Sequence, residues 1–345
     1  MKLLEPIVAW HHDISQIRRD IHAHPELAFE EFRTADVVAA KLEEWGIEIH
    51  RGLGGTGVVG IIRGDQPGER AVGLRADMDA LPMQEANTFD HASKHEGKMH
   101  ACGHDGHTAM LLAAARYLSQ HRDFAGTVYV IFQPAEEGGG GAKRMIDDGL
   151  FTRFPMEAVF GMHNWPGMKP GQFGVTAGPI MASSNEFSIV VKGKGTHAGM
   201  PNLGIDPVMA AVQLAQSLQT IITRNRNPLD AAVLSITQIH AGSADNVVPN
   251  HAELRGTVRT FTLDVLDLIE RRMEEIARHT CAAMDCEVQF TFQRNYPPTI
   301  NHPDEAAFCA DVMRDIVGDD MVNDHVQPTI CLLYTSDAAD ERSSV

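Results

Sequence analysis

Residues 71–79 read AVGLRADMD, an apolar run that ends in Asp77 and Asp79. Two later runs, residues 127–132 (TVYVIF) and residues 158–162 (AVFGM), have the same continuous apolar character. Runs of this kind that alternate with helical patterns are typical of strands buried on both faces of a sheet. They predict an α/β fold with a largely parallel sheet.

Helical patterns surround these strands. The chain between residues 13 and 45 is helical in pattern but is broken at His24-Pro25, because proline disfavours helix in the residue before it. The elements predicted for this part of the chain are strands at residues 56–62, 71–76, 127–132 and 158–162 and helices within 13–45, at 108–118 and at 142–148.

A different pattern occupies residues 187–292. Its order of strand, helix, two strands, helix and strand is the βαββαβ order of a ferredoxin-like unit. Its predicted elements are strands at 187–191, 232–239, 253–260 and 287–292 and helices at 207–222 and 263–284. After Pro297 the pattern returns to helix at residues 304–317. We therefore predict a large domain in two parts, residues 1–181 and 295–330, with an inserted domain at 182–294 and a tail at 331–345.

The ends of the three apolar runs carry side chains that can bind metals. In open α/β sheets the ligand site lies beyond the carboxyl ends of the strands, so these ends are expected to meet. The side chains that follow the runs are Asp79, the pair Glu136 and Glu137, and His163.

A fourth group, HACGHDGH at residues 100–107, places Cys102 and His104 just before the predicted helix at 108–118. Thiolate, neutral imidazole and carboxylate are ligands of zinc, manganese and similar cations. Each group alone has an ordinary explanation: a histidine in a loop, paired glutamates in a solvated turn, or a structural zinc knuckle. Their convergence at one edge of a sheet predicts a metal site.

Composition narrows the class of protein. A chain of 345 residues can form two domains, and its formal net charge of −17 argues against binding to nucleic acid or to anionic membranes. The N-terminus lacks the apolar core of a signal peptide, and no apolar run approaches the ~20 residues of a membrane span. The five cysteines contain no CxxC pair and do not indicate a disulfide framework. These features favour a cytoplasmic protein.

Residues 52–57, GLGGTG, fit the dinucleotide-binding pattern GxGxxG. That pattern should follow a strand and open a helix, whereas here it precedes a strand. We interpret it as a hairpin or a loop. The chain also lacks the GxSxG motif of serine hydrolases.

Seven segments between residues 13 and 330 resemble the family of metal-dependent hippurate hydrolases, N-acyl-amino-acid amidohydrolases and indoleacetyl-amino-acid hydrolases. The general likeness is strongest to the hippurate hydrolases. The segments are RRDIHAHPELAFEE, GLRADMDALP, MHACGHDGHTAM, FQPAEEGGGGA, GMHNWPG, GTHAGMPNLGIDP and NVVPNHAELRGTVRTF. The resemblance implies a catalytic metal-binding domain with an inserted lid or dimerisation domain, a homodimer, and an N-acyl amino acid as substrate.

The resemblance also assigns roles around two divalent cations, which could be manganese, zinc, cobalt or nickel. The implied metal ligands are Cys102, which bridges the cations, with His104, Glu137 and His163. Glu136 would be the general base, and Asp79 would orient the site. In the inserted domain, His197 would stabilise the oxyanion. Asn246, Arg255 and Arg259 are candidates for holding the substrate carboxylate, since arginine suits bidentate contact.

Three alternatives remain open at this point. The first is a dipeptidase or aminopeptidase on the same scaffold, the second a non-catalytic metal-binding protein, and the third a thiol enzyme that uses Cys102. A further expectation concerns residues 331–345, CLLYTSDAADERSSV, where the family pattern stops. We expect the natural C-terminus, with a late histidine ligand, to be missing, and the chain as written to have little or no activity.

Overall fold

The computed structural model describes residues 2–329, so the predicted tail at 331–345 lies outside the described residues. The described chain forms two compact units. The first contains residues 2–172 and 315–318, and the second contains residues 173–314 and 319–329. The second unit thus extends beyond the predicted inserted domain at both ends, and the predicted domain boundaries at residues 181 and 294 stay predictions.

The first unit has a five-stranded sheet in the order β1-β2-β4-β3-β5. Its strands are β1 (Glu48–Leu53), β2 (Gly57–Arg63), β3 (Gln66–Asp77), β4 (Ala125–Gln133) and β5 (Ala158–Gly161). Its helices are α1 (Glu5–Ala9), α2 (His11–Ala23), α3 (Phe32–Glu44), α4 (His104–Gln120), α5 (Gly141–Asp147) and α6 (Leu150–Arg153).

The expectation of a largely parallel sheet holds only for the three strands that lead to the predicted ligands. β3 pairs in parallel with both β4 and β5, whereas β1 with β2 and β2 with β4 are antiparallel. The short connection between β1 and β2 accounts for the first of these antiparallel pairs, because a parallel pair needs a crossover of roughly a dozen residues or more. Residues 52–57 comprise the end of β1, the connection at 54–56 and the start of β2, which confirms the hairpin interpretation of the GxGxxG match.

The two faces of the sheet are both covered, as the continuous apolar strands predict. Val130 and Phe132 of β4 pack in a buried cluster with α3 and α4. Ile131, between them, faces the opposite cluster, which includes Met145 of α5 and Phe154. Alternate residues of β4 therefore bury their side chains on opposite faces, and the end of the strand is held between two cores.

Helix α4 begins earlier than predicted, at His104 rather than at Thr108. Its N-cap is Gly103, with φ of 86°, a left-handed conformation that favours glycine. A Cβ atom at Gly103 would lie 2.5 Å from Oδ1 of Asn164, so the position also excludes larger residues. The first turn of α4 is polar in sequence yet buried, and this is why hydrophobic periodicity did not reveal it.

The second unit contains an antiparallel four-stranded sheet in the order β10-β12-β8-β13. Its strands are β6 (Phe173–Gly174), β7 (Gly178–Met181), β8 (Ser184–Lys192), β9 (Thr196–His197), β10 (Ala232–Ala241), β11 (Val247–Val248), β12 (His251–Thr260), β13 (Glu287–Tyr296), β14 (Thr299–Asn301) and β15 (Val322–Asn323). Its helices are α7 (Pro207–Thr220), α8 (Leu263–Ala282) and α9 (Pro303–Val317), of which the last residues fall in the first unit.

Alternation along β8 sets the two faces of the four-stranded sheet. Ile189 and Val191 are fully buried in the cluster that also contains Leu214 of α7 and Ile269 of α8. Side-chain oxygens cap both helices: Asp206 accepts from the first turn of α7, and Thr262 from that of α8. The opposite face of the sheet is polar.

Within residues 2–329, no helix is both long enough and apolar enough to cross a membrane. The cysteines described there are all free: Cys102, Cys281, Cys286 and Cys309.

Candidate metal centre

The parallel strands β3, β4 and β5 and the N-terminus of α4 bring the predicted ligands together in the first unit. Sγ of Cys102 lies 3.2 Å from Nε2 of His163. Nε2 of His104 lies 3.8 Å from Oε1 of Glu137 and 4.0 Å from Oε2 of Glu136. Strand ends that are far apart in sequence therefore converge as predicted.

These side chains form three overlapping groups that could hold a cation. Within each group the ligand atoms lie within 4.8 Å of one another. The groups are Cys102, His104 and His163; Asp77, His104 and His107; and His104, Glu136 and Glu137. His104 belongs to all three, and its side chain is fully buried.

The donor atoms at the centre fit divalent cations. Nε2 of His104 and Oε1 of Glu137 are buried and have no hydrogen-bond partner within residues 2–329. Buried polar atoms in native proteins are nearly always paired, so these two atoms point to a cation as their partner. Imidazole, carboxylate and the Cys102 sulfur are a ligand set suited to zinc, manganese, cobalt or nickel.

Buried contacts among Asp77, His107 and Asn164 lie next to the candidate ligands and stabilise their positions. Nδ1 of His107 lies 2.6 Å from Oδ1 of Asp77, and Nε2 of His107 accepts from the backbone N–H of Asn164 at 3.1 Å. The same Nε2 also contacts Oδ1 of the Asn164 side chain. Because Asn164 follows His163 directly, this chain of contacts fixes the backbone beside a candidate ligand.

Asp79 holds the segment that carries both glutamates. Its two carboxylate oxygens accept the backbone N–H groups of Glu136 and Glu137, each at 2.9 Å. Oδ1 of Asp79 also lies 3.3 Å from Nδ1 of His104. These contacts and the burial of Asp79 support the predicted orienting role over one as a ligand.

Burial at the centre shifts the pKa values of four candidate residues towards their uncharged forms. Burial raises the pKa of Glu137 to about 7, and the neighbouring charge of Glu136 adds to the shift. Burial also raises the pKa of Glu136 and lowers that of His163 to about 4. Burial raises the pKa of the Cys102 thiol to about 12. A cation that binds these atoms would displace protons from them, so the affinity for metal is expected to increase with pH.

Asp77 behaves differently from the two glutamates. Burial alone would raise its pKa, but the charges of His104 and Arg75 and the hydrogen bond from His107 hold it well below its usual range. Nη1 of Arg75 lies 2.9 Å from Oδ2 of Asp77. We therefore expect Asp77 to be ionised beside the centre.

Two of the predicted residues of the second unit, His197 and Asn246, lie in or beside short paired strands. His197 of β9 is opposite Val247 of β11, and the carbonyl of Asn246 accepts the N–H of Ala198 at 2.9 Å. This ladder places His197 and Asn246 side by side, and both residues are exposed. The pairing of β9 with β11 was not predicted, because no hairpin signal links these two short strands.

Arg255 and Arg259 lie four residues apart on the polar face of β12. Nε of Arg255 donates to Oε1 of Glu253 at 2.7 Å. Nη1 of Arg259 donates to the carbonyl of Val258 at 3.2 Å and contacts Thr257. The two guanidinium groups are thus on the same side of the sheet, Arg255 exposed and Arg259 partly buried.

A second buried group, formed by His22, Asp105 and Glu85, lies beside the centre, and no sequence pattern indicated it. His22 of α2 lies with Nδ1 3.0 Å from Oδ2 of Asp105 and Nε2 3.1 Å from Oε1 of Glu85. Burial alone would lower the pKa of His22, but the hydrogen bonds and charges of Asp105 and Glu85 raise it to about 9. Since Asp105 follows His104 on α4, this ion pair fixes the first turn of that helix.

Comparison with known proteins gives a consistent result. A sequence model of peptidase family M20/M25/M40 matches residues 73–339. The hippurate hydrolase of Campylobacter jejuni is 41% identical over 319 residues, which cover 92% of this chain and 83% of that protein. An N-acyl-L-amino acid amidohydrolase of Geobacillus stearothermophilus is 43% identical over 299 residues, covering 86% of this chain and 78% of that protein.

A solved structure extends the likeness to the fold. A dinuclear metal-binding peptidase of family M20 from Bacillus subtilis is 37% identical with a TM-score of 0.80, covering 94% of this chain and 84% of that chain. Both sequence matches span most of each protein and include the segments that carry the candidate ligands. This chain therefore belongs to peptidase family M20/M25/M40 and is a metal-dependent amidohydrolase.

Proposed function

We propose that this protein hydrolyses the amide bond of N-acyl amino acids of the hippurate type, releasing a carboxylic acid and an amino acid. The observation that carries the proposal is the pair Glu136 and Glu137, whose carboxylate oxygens both lie within 4.0 Å of Nε2 of His104. One carboxylate can bind metal while its neighbour moves a proton. The relatives named for hippurate and for N-acyl-L-amino acids support this substrate class.

Four side chains would hold two divalent cations. Cys102 would bridge them, with His104, Glu137 and His163 as further ligands. When bound, the cations would polarise the scissile carbonyl and acidify the attacking water. Asp77, His107 and Asn164 would keep His163 and His104 in place from behind.

Glu136 is proposed as the general base. Its burial raises the pKa of its carboxyl group, which favours a group that can accept a proton and later release it. It would take the proton of the attacking water and deliver it to the leaving amine. The backbone N–H of Glu136 donates to Asp79, and this hydrogen bond fixes the backbone from which the base extends.

The second unit is proposed to act on the substrate as a ferredoxin-like lid that also dimerises. His197 would donate to the oxyanion, and Asn246 with Arg255 or Arg259 would hold the substrate carboxylate. The exposure of His197 and Asn246 and their side-by-side placement on the β9–β11 ladder support these roles. Both arginines have partners on their own strand that a carboxylate could replace.

The test is a hydrolysis screen on protein stripped with a chelator and then reconstituted with manganese, zinc, cobalt or nickel. N-benzoyl- and N-acetyl-amino acids should be hydrolysed faster than dipeptides with a free α-amine. Preference for the dipeptides would favour a dipeptidase or aminopeptidase instead. Full activity in the stripped protein would indicate a thiol enzyme that uses Cys102.

A further inference from the structure

Among residues 2–329, three non-glycine residues have a positive φ: Phe29 (64°), Ala135 (50°) and Asp285 (57°). Two of them share one hydrogen-bond acceptor. Oε1 of Glu31 accepts the backbone N–H of Ala135 at 2.8 Å and that of Phe29 at 3.1 Å. A single carboxylate oxygen thus holds two left-handed residues that are separated by more than a hundred positions.

The Glu31 side chain is built into the protein interior. Glu31 is fully buried, and its other oxygen accepts from Oγ1 of Thr56 at 2.6 Å. Thr56 lies in the connection between β1 and β2, so the carboxylate joins this hairpin to the start of α3 and the end of β4. Burying a carboxylate is unfavourable unless its oxygens are satisfied, and here each has at least one donor.

Ala135 is the residue directly before Glu136, and it is fully buried. Its N–H donates to Glu31, and its carbonyl accepts the N–H of Gly141 at 3.0 Å. Asp79 accepts the next two backbone N–H groups, those of Glu136 and Glu137. Two buried carboxylates therefore hold three successive amides of the segment that carries both glutamates.

A left-handed conformation is unfavourable for alanine and persists only where surrounding contacts enforce it. Such residues cluster at functional sites, where the unusual backbone points a side chain in a required direction. At Ala135 the hydrogen bond from its own backbone N–H to Glu31 stabilises this conformation. Without it, residues 135–137 could relax and the two glutamates would turn away from His104.

We propose that Glu31 is a positioning residue that holds Ala135 in the left-handed conformation and so sets the directions of Glu136 and Glu137. The inference rests on the proposed function only in taking Glu136 as the base and Glu137 as a metal ligand. Glu31 acts through the backbone and does not touch the centre itself.

The test is a double-substitution cycle in the full 345-residue chain, with Glu31→Ala, Ala135→Gly and both together. Glycine adopts positive φ without strain, so it should make the Glu31 contact unnecessary. We expect Glu31→Ala to lower kcat for N-benzoylglycine and to weaken Co²⁺ binding, each by about ten-fold, the size of a left-handed penalty of about 1–2 kcal/mol. Adding Ala135→Gly should restore most of both.

Glu26 provides a matched control. Its carboxylate also accepts three hydrogen bonds, from the N–H of Arg33 and from the N–H and Oγ1 of Thr34, and all of these donors are on α3. Ala135→Gly should therefore give no recovery in Glu26→Ala. An equal effect of Ala135→Gly in both backgrounds would contradict the proposal.

If Glu31→Ala does not fold, Glu31→Gln replaces it in the cycle. Glutamine keeps a neutral acceptor, and hydrogen bonds to neutral groups are roughly half as strong as those to charged ones, so a loss of about three-fold is expected. Ala135→Gly must restore that loss as well.

The Co²⁺ titration is followed by absorption and needs no substrate. Recovery of Co²⁺ affinity in the cycle would uphold the role of Glu31 whatever the level of turnover, and the substrate class is decided separately by the hydrolysis screen. Hydrolysis of N-benzoylglycine by the unsubstituted chain, together with no recovery in the cycle, would uphold the substrate class and reject the role of Glu31.

Discussion

The candidate metal centre and the predicted substrate residues differ in how they are held. His104, Asp77 and Asp79 of the first unit are buried, and neighbouring side chains or backbone groups fix their positions. His197 and Asn246 of the second unit are exposed and are placed mainly by a two-residue ladder. A rigid, buried site favours catalysis by preorganised groups, whereas an exposed pair can adjust to a substrate. Substitutions in the two regions should therefore have different effects on metal binding and on turnover.

The largest effect is expected for Glu136→Gln. The substitution keeps the shape of the side chain but removes the proton acceptor, and we expect kcat to fall by about 10²–10⁴-fold or more. Metal content should stay unchanged, because Glu136 is not a proposed ligand. Elemental analysis and turnover are measured on the same sample, with the exposed Glu157→Gln as the control. Near-normal turnover would assign the base to another residue.

Removal of the proposed bridging thiolate is expected to reduce metal occupancy before it affects chemistry. Cys102→Ala leaves His104, Glu137 and His163 but takes away the atom that would contact both cations. We predict a loss of at least one of the two cations per chain, since the deprotonated thiol is the proposed shared ligand. Cys309→Ala, also at a free cysteine, serves as the control. Two retained cations in Cys102→Ala would show that the bridge is assigned wrongly.

His197→Ala should separate the two regions most clearly. Loss of an oxyanion donor is expected to lower kcat by about 10²–10³-fold, whereas metal binding in the first unit should be unaffected. His240→Ala, another exposed histidine of the second unit, is the matched control. If the site is completed by a partner chain, mixing His197→Ala with Glu136→Gln should recover part of the activity. Verified mixed dimers without recovery would place His197 in the site of its own chain.

The smallest effect is a pH dependence of stability in the first unit. The pKa of His22 is raised from 6.5 to about 9, so its stabilising contribution is complete below pH 6.5 and is lost as pH rises through 9. At about 1.4 kcal/mol per pK unit this contribution is at most about 3.5 kcal/mol. Urea unfolding of the metal-free chain at pH 6 and pH 9.5 should show a smaller change in His22→Gln than in the unsubstituted protein. Equal changes would mean that His22 is not charged in the folded state.

The sequence was sufficient to predict which residues converge at the metal centre. Cys102, Glu137 and His163 follow strands or precede a helix, and their chemistry is unusual at such places. The parallel order of β3, β4 and β5 then brings them to one edge. Local sequence patterns carry this information, because element type and ligand type are both visible along the chain.

The supporting contacts could not be predicted in the same way. The partner of Glu31 at residue 135 and that of His22 at residue 105 are defined only once the chain has folded. The first turn of α4 escaped prediction because its polar residues are buried by such partners rather than by apolar periodicity. The glycines of residues 52–57 indicated the hairpin of β1 and β2. They did not indicate that these two strands would make one side of the sheet antiparallel.

The central claim is that the residues around His104 form a metal-dependent hydrolytic site. The most direct measurement is hydrolysis of N-benzoylglycine by the chelator-stripped protein during titration with Mn²⁺, with bound metal determined at each point. We predict no turnover in the stripped protein and turnover that increases with metal occupancy, at the low level expected of the chain as written. Turnover that is already complete before any cation is added would contradict the claim.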